Sequence, residues 1–281
     1  MNATDLIRRV VPRSIRNALR RPQTSFMRTV AKMRFALGWT DSVPIRKDWT
    51  LKCHPICAPE FKVFREDPEQ REELETFVRH CTSNMHLLAV GAHWGLFGLA
   101  AIRYGGPTVK VTAVEASPTA AKVLKRNFAV NSLSSQVTLL NCAAGERAAK
   151  IEMLTTGAGG ADYYVVPSSP RPDTTTVRQA ALDEICGESG VVPSHLKIDV
   201  EGYEEEVIRG AAHTIQSAKP IIFLELHGAF IRRRHRKPEA VLKLLGDFGY
   251  RTFFSKGTPL TIDTIAAHDF NVRLVAISAN S

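Results

Sequence analysis

Three features of this 281-residue chain predict an open α/β fold on a mostly parallel sheet. From residue 86 onward, apolar runs of strand length alternate with amphipathic helical stretches. Two of those runs end in glycine-bearing turns. Leu87-Leu88-Ala89-Val90 runs into Gly91-Ala92-His93-Trp94-Gly95, and Leu196-Lys197-Ile198 runs into Asp199-Val200-Glu201-Gly202. A third run, Val109 to Val114, stops on Glu115. Such endings bring glycine turns and carboxylates to the carboxyl edge of a parallel sheet, where open α/β folds bind ligands.

Charge divides the chain before periodicity does. Residues 1–50 hold 11 Lys+Arg against 3 Asp, a net +8; the other 231 hold 26 against 25, a net +1. We therefore read 1–66 as a basic N-terminal arm with an irregular or strand-like lead-in, and 67–281 as the α/β domain. In the arm, Thr24 or Ser25 can cap a helix whose Phe26, Val30, Met33 and Leu37 share one face. Arg28, Lys32 and Arg34 lie off that stripe and Gly38 can end it. The arm reads as a solvated appendage or as contact with an anionic surface, phospholipid or nucleic acid. Its helix either docks on the domain or lies on a membrane.

Prolines at 44, 55 and 59 interrupt residues 40–66. Asp67-Pro68-Glu69-Gln70 then opens a helix, with Asp67 as cap, Pro68 at the first position and Gln70 completing a capping box. Leu74, Phe77, Val78 and Cys81 form its buried face. Strands are expected near 86–91, 109–115, 136–141, 194–199, 220–227, 250–255 and 271–278. Helices are expected near 95–105, 118–131, 203–217 and 238–248. Ser117-Pro118 starts the second of these; Gly249 stops the last, whose Val241, Leu244, Leu245 and Phe248 face the core. Residues 148–185 break the alternation. Ile151–Leu154 and Tyr163–Val166 suggest a hairpin around Thr156-Gly157-Ala158-Gly159-Gly160, and the insertion is placed to cover the cleft.

The 44% hydrophobic and 23% charged residues are ordinary for a globular protein. No apolar run approaches the ~20 residues of a membrane span. The basic start has no apolar stretch behind it, so a secretory signal is not expected. Five scattered cysteines do not make a disulfide framework and fit a reducing, cytoplasmic setting. Cys53-His54-Pro55-Ile56-Cys57 offers too few ligands for zinc, and no metal is expected.

Glycine at 91 and 95 lets backbone approach a ligand closely. Glu115, at a strand end, can accept both hydroxyls of a ribose. The strings Val90-Gly91-Ala92-x-x-Gly95, Glu115-Ala116-x-Pro118, Asn141-x-Ala143, Leu182-Asp183, Lys197-Ile198-Asp199-Val200-Glu201-Gly202-x-Glu204 and Glu225-x-His227 together resemble the FkbM-type S-adenosylmethionine-dependent methyltransferases. The resemblance spans roughly residues 70–255, and the Lys-Ile-Asp-Val-Glu-Gly string is its most specific part. It implies a class I methyltransferase (Rossmann-like) fold, a seven-stranded mostly parallel sheet with an antiparallel last strand. It also implies methyl transfer from S-adenosyl-L-methionine to a hydroxyl of a small molecule or glycan. The chain departs from the family pattern at Ala89, where the family has Asp, and at His93, where it has Asn.

By position, the resemblance implies that Gly91, His93 and Gly95 line the methionine and ribose part of the cofactor. Glu115 would hold the ribose hydroxyls, with Ala116 beside the adenine and Asn141, Cys142 and Ala143 at its border. Asp199 would face the sulfonium and the acceptor, and Glu225 and His227 would project from the fifth strand. Methyl transfer is an in-line displacement, so alignment supplies much of the acceleration and a base removes the hydroxyl proton. His227 is the first candidate base, because neutral imidazole is basic near pH 7; Asp199 is second. Lys197 is expected to pair with Glu201 or Glu225. Glu204, Glu205 and Glu206 suit a helix start, with Glu205 reaching Arg209. The run from Arg232 to Lys237 clusters six basic residues and suggests an anionic or lipid-linked acceptor. A binding protein without catalysis on the same fold is the main rival. The chain lacks the Tyr-x-x-x-Lys of a nicotinamide oxidoreductase, and no base-methylation signature points to nucleic acid.

Overall fold

The computed structural model describes residues 29–154, 174–266 and 271–279. Strands β1 (Asp41–Arg46) and β2 (Trp49–Cys53) form an antiparallel hairpin. Helices α1 (Ala58–Glu66) and α2 (Pro68–Arg79) follow. The central sheet is then laid down as β3 (His86–Val90), α3 (Leu96–Gly105), β4 (Lys110–Val114), α4 (Pro118–Val130) and β5 (Val137–Leu140). A small sheet of β6 (Ala143–Ala144), β7 (Ala149–Leu154) and β8 (Thr174–Ala180) intervenes. The main alternation resumes with α5 (Leu182–Ser189), β9 (His195–Ile198), α6 (Glu204–Arg209), α7 (Ala212–Ala218) and β10 (Ile221–Leu226). It closes with α8 (Gly228–Arg233), α9 (Glu239–Asp247), β11 (Tyr250–Phe254), α10 (Ile262–Ala266) and β12 (Val272–Ser278).

The seven-stranded sheet has the order β11-β12-β10-β9-β3-β4-β5. All neighbours pair in parallel except β12, which runs antiparallel to β10 and β11. This is the class I methyltransferase architecture. Alternation along each strand feeds two cores. Leu87 and Ala89 of β3 join Phe77, Leu124 and Phe128 on one face. Leu88 and Val90 join Leu196, Ile222 and Leu245 on the other. Each such fully buried Leu or Phe contributes about 1.5–3 kcal/mol.

All seven expected strands form this sheet. The expected helix over 203–217 is broken into α6 and α7 around Gly210, where a Cβ would lie 2.0 Å from the carbonyl oxygen of Gly145. Only glycine permits that approach. Asp67 caps α2 by accepting the Glu69 and Gln70 N–H groups, each at 3.0 Å. The capping box is not completed: the Asp67 N–H already donates to the Val63 carbonyl at 2.8 Å, because α1 runs directly into the cap. That helix is absent from the expectation for 40–66. Its prolines misled the reading, since Pro59 occupies the first turn, where no N–H is missed. β7 pairs with β8; Tyr163–Val166, its expected partner, lie outside the described residues.

A helix covers 29–36. It docks, but not through the expected stripe. Ala31 is buried, and Phe35 stacks on His54 with ring centroids 4.3 Å apart. Val30, Met33 and Leu37 face away; Phe26 lies outside the described residues.

Candidate active site

A cavity of about 400 Å³ opens at the carboxyl ends of β3, β4, β9 and β10. Its floor is the turn after β3. Gly91 has φ +71°, and a Cβ there would lie 1.8 Å from the Asp199 carbonyl oxygen. A side chain at 91 would therefore push β3 and β9 apart where the Asp199 N–H donates to the Val90 carbonyl at 3.0 Å. His93 also takes a left-handed conformation, with φ +47°. Glu115 pins the turn. One carboxylate oxygen accepts the His93 N–H and the other accepts the Ser117 N–H, both at 2.7 Å. Burial raises the Glu115 pKa, against the pull of His93 and of these two N–H groups. Each oxygen keeps a further lone pair for a ligand hydroxyl.

Nine of the eleven sequence-predicted site residues line this cavity: Gly91, His93, Glu115, Ala116, Cys142, Ala143, Asp199, Glu225 and His227. Gly95 and Asn141 do not. Gly95 begins α3, and a Cβ there would lie 2.8 Å from the Phe128 ring, so its work is packing. Asn141 donates to the Glu115 and Ala116 carbonyls at 2.7 and 3.2 Å, which positions the lining backbone from behind.

The far wall comes from residues the sequence did not single out. Glu60 and Phe64 of α1, Gln70 of α2 and Met153 of β7 all line the cavity. Glu60 Oε1 lies 3.0 Å from His93 Nδ1. Burial lowers the pKa of His93, but Glu60, Glu115 and Asp199 outweigh it and the net shift is upward. No motif signals these residues, because their approach depends on how α1 packs. Lys197 is buried beside Ala89 across the β3–β9 ladder. Its Nζ lies 3.1 Å from Glu73 and 3.7 Å from Asp199, so the expected Glu201 or Glu225 partner is replaced by an acid from α2.

The acidic cluster of the cavity bears on the expectation for His227. His227 is 2% exposed, and its Nδ1 lies 2.7 Å from Oε1 of the fully buried Glu204. Its Nε2 faces Glu201, Asp199 and Glu225 oxygens at 3.5, 3.7 and 3.8 Å. Burial alone would lower its pKa, but the Glu204 hydrogen bond and the charges of Asp199, Glu204 and Glu201 raise it to about 10. Such a shift favours the imidazolium at neutral pH, the form without a lone pair for a base. The ring is unlike a free imidazole, because four carboxylates converge on it. Glu225 instead falls in the working range. Burial and the charges of Asp199 and Glu73 raise its pKa to about 7, against Arg273 and Lys197. Arg273 holds its Oε1 at 2.9 Å. Asp199, Glu201 and His227 could also hold a metal ion, since one donor atom from each lies within 4.8 Å of the others. A cation would have to displace the His227 proton, which neutralises the same carboxylates.

The basic run after β10 is largely spent within the protein. Arg234 pairs with Glu206, and Arg236 with Glu205 and Glu206. Arg232 donates to the Ile265 carbonyl. Glu205 also reaches Arg209, as expected, at 2.8 Å. Those pairs offset part of the repulsion within the run. Cys53 and Cys57 are buried and free, and burial pushes the Cys53 thiol up to about 12.

The family model for the methyltransferase FkbM domain matches residues 89–252, more than half of the chain. None of the curated proteins matches it. Among solved structures, the methyltransferase FkbM from Methylobacillus flagellatus KT is 19% identical with a TM-score of 0.48. The alignment covers 79% of this chain and 51% of that one, so the chain spans about half the length of that protein. The precorrin-6y C5,15-methyltransferase from Geobacter metallireducens GS-15 is 14% identical, covering 75% and 90%, with a TM-score of 0.44. The O-methyltransferase from Bacillus cereus in complex with SAH is also 14% identical, covering 75% and 81%, with a TM-score of 0.44.

Proposed function

The chain belongs to the FkbM methyltransferase family, and from that premise we propose that it moves a methyl group from S-adenosylmethionine to a hydroxyl oxygen of a small molecule or glycan. The observation that carries the reading is the cavity itself. A glycine turn pinned by Glu115 lines it together with the acidic cluster of Asp199, Glu225 and His227. In this reading the turn and Glu115 hold the ribose, while Ala116, Cys142 and Ala143 border the adenine. The sulfonium, a fixed positive charge, lies toward Asp199 and Glu225. The methyl carbon is already activated, so the protein's task is alignment and removal of the hydroxyl proton. Glu225 takes that proton, and the imidazolium of His227 holds the surrounding carboxylates in place. The substrate hydroxyl loses its proton as the C–O bond forms and the C–S bond breaks, leaving S-adenosylhomocysteine and protonated Glu225.

The missing carboxylate at Ala89 has a substitute on the cleft wall in Glu60. It lies beside His93 and can accept from the cofactor's ammonium group, which an imidazole N–H cannot do. Glu60→Gln is expected to weaken cofactor binding about fivefold, a modest loss because the group is partly solvated. Titration calorimetry with S-adenosylmethionine measures it, and an unchanged affinity removes Glu60 from the site.

Glu115→Ala is expected to weaken cofactor binding by about 1–3 kcal/mol. Calorimetry on the folded variant checks it. Retained affinity would mean that Glu115 only braces the turn. The reaction is tested by methyl transfer from labelled cofactor into fractionated extract, with mass spectrometry of the labelled product. Cofactor binding without any labelled product would favour the binding-protein reading.

A further inference from the structure

We infer that the outward face of the 29–36 helix, together with Trp39, is a docking surface for a membrane rich in anionic phospholipid. Val30, Met33, Leu37 and Trp39 are 37%, 61%, 73% and 59% exposed. They are four of the six large apolar side chains that are exposed among the described residues. Such clustering is unusual for a surface with no partner.

The helix is already held by its other side. Ala31 is buried, Phe35 stacks on His54, and the Arg126 guanidinium lies 5.0 Å over the Phe35 ring. Its C-terminal end is fixed as well: the Trp39 N–H donates to the Arg34 carbonyl at 3.0 Å, and Arg34 pairs with Asp41. The apolar stripe is therefore presented on a rigid support and cannot turn inward to be buried. A helix docked by one face and apolar on the opposite face needs a second apolar environment.

Charge selects the occupant. Residues 1–28, which lead into this helix, carry seven arginines against the single acid Asp5. Lys32 is exposed on the helix, and the Arg34 guanidinium lies 5.8 Å over the Trp39 ring. Basic residues beside an apolar stripe, with tryptophan at its end, suit the boundary between anionic headgroups and acyl chains. A nucleic acid would use the arginines and leave Met33 and Leu37 in water. A second copy of the chain would bring two strongly basic arms together, which repel. Among the described residues no helix is long and apolar enough to cross a membrane. This inference does not depend on the methyl-transfer reading.

The test is vesicle flotation of the full chain with phosphatidylcholine alone and with added phosphatidylglycerol. Tryptophan emission supplies a local readout, because Trp49 and Trp94 are already 7% and 6% exposed and only Trp39 can change environment. The chain is expected to float with the anionic vesicles only, with its emission shifted to the blue, and to be released by salt. Met33→Glu with Leu37→Glu should lower partitioning at least about tenfold. The melting curve should not change, since both side chains are exposed in the native protein. Three results would each overturn the inference: no flotation with anionic vesicles, equal flotation with neutral ones, or full retention by the double variant. Binding to a DNA duplex that the double variant keeps, without flotation, would assign the arm to nucleic acid instead.

Discussion

Glu225→Gln is expected to lower turnover by about 10²–10⁴-fold, the range for loss of a positioned base. The substitution keeps a carbonyl oxygen for Arg273, so the fold and the cofactor affinity should survive. The sharper evidence is the pH profile. With a pKa of about 7, Glu225 is protonated and inactive as a base in mild acid. The native kcat/KM should rise about tenfold per pH unit below that value and level off above it. In Glu225→Gln this limb should vanish. In Asp199→Asn it should move to lower pH, because removing a neighbouring negative charge makes Glu225 easier to ionise. A profile that stays flat in the native protein would mean that alignment alone does the chemistry.

His227→Ala should be costly for stability rather than for proton transfer. It strips the fully buried Glu204 of its 2.7 Å partner and leaves three more carboxylates facing a void. Breaking a buried pair in this way costs about 3–5 kcal/mol. Urea unfolding at neutral pH measures the loss. Because the folded pKa is raised, the imidazolium's contribution is complete below its ordinary pKa and fades as pH rises through about 10. The native protein should therefore lose stability on the alkaline side, and the variant should not show that step. Replacing Glu204 by Leu in the same chain should restore much of the loss, because the penalty belongs to the orphaned charge. Activity separates the two roles for the ring. Removing a cation 3.8 Å from Glu225 raises its pKa, so the acid limb should move upward in pH and persist. If the limb disappears instead, His227 is the base.

These outcomes bear on how much of the site could be read from residues alone. Nine of the eleven named positions reach one cavity because the carboxyl ends of parallel strands lie side by side, and the ends of β3, β4 and β9 are visible as apolar runs followed by a glycine or an acid. Gly95 and Asn141 also follow strand ends and still fall outside the cavity. One is used against Phe128 and the other beneath Glu115 and Ala116.

The sequence by itself determined the sheet, its alternation with helices and the family, because strand period, caps and motif spacing are local properties of the chain. Only the tertiary structure decided the electrostatics. Glu204 and His227 are 23 residues apart, Glu73 and Arg273 are 200 apart, and the Glu60–His93 pair joins two separate elements. It likewise decided which face of the 29–36 helix is buried, since periodicity identifies an apolar stripe but not the surface it will meet. A pKa depends on burial and on every charge within a few ångströms, and those neighbours come together only when distant segments pack. That is why we propose Glu225, and not His227, as the base.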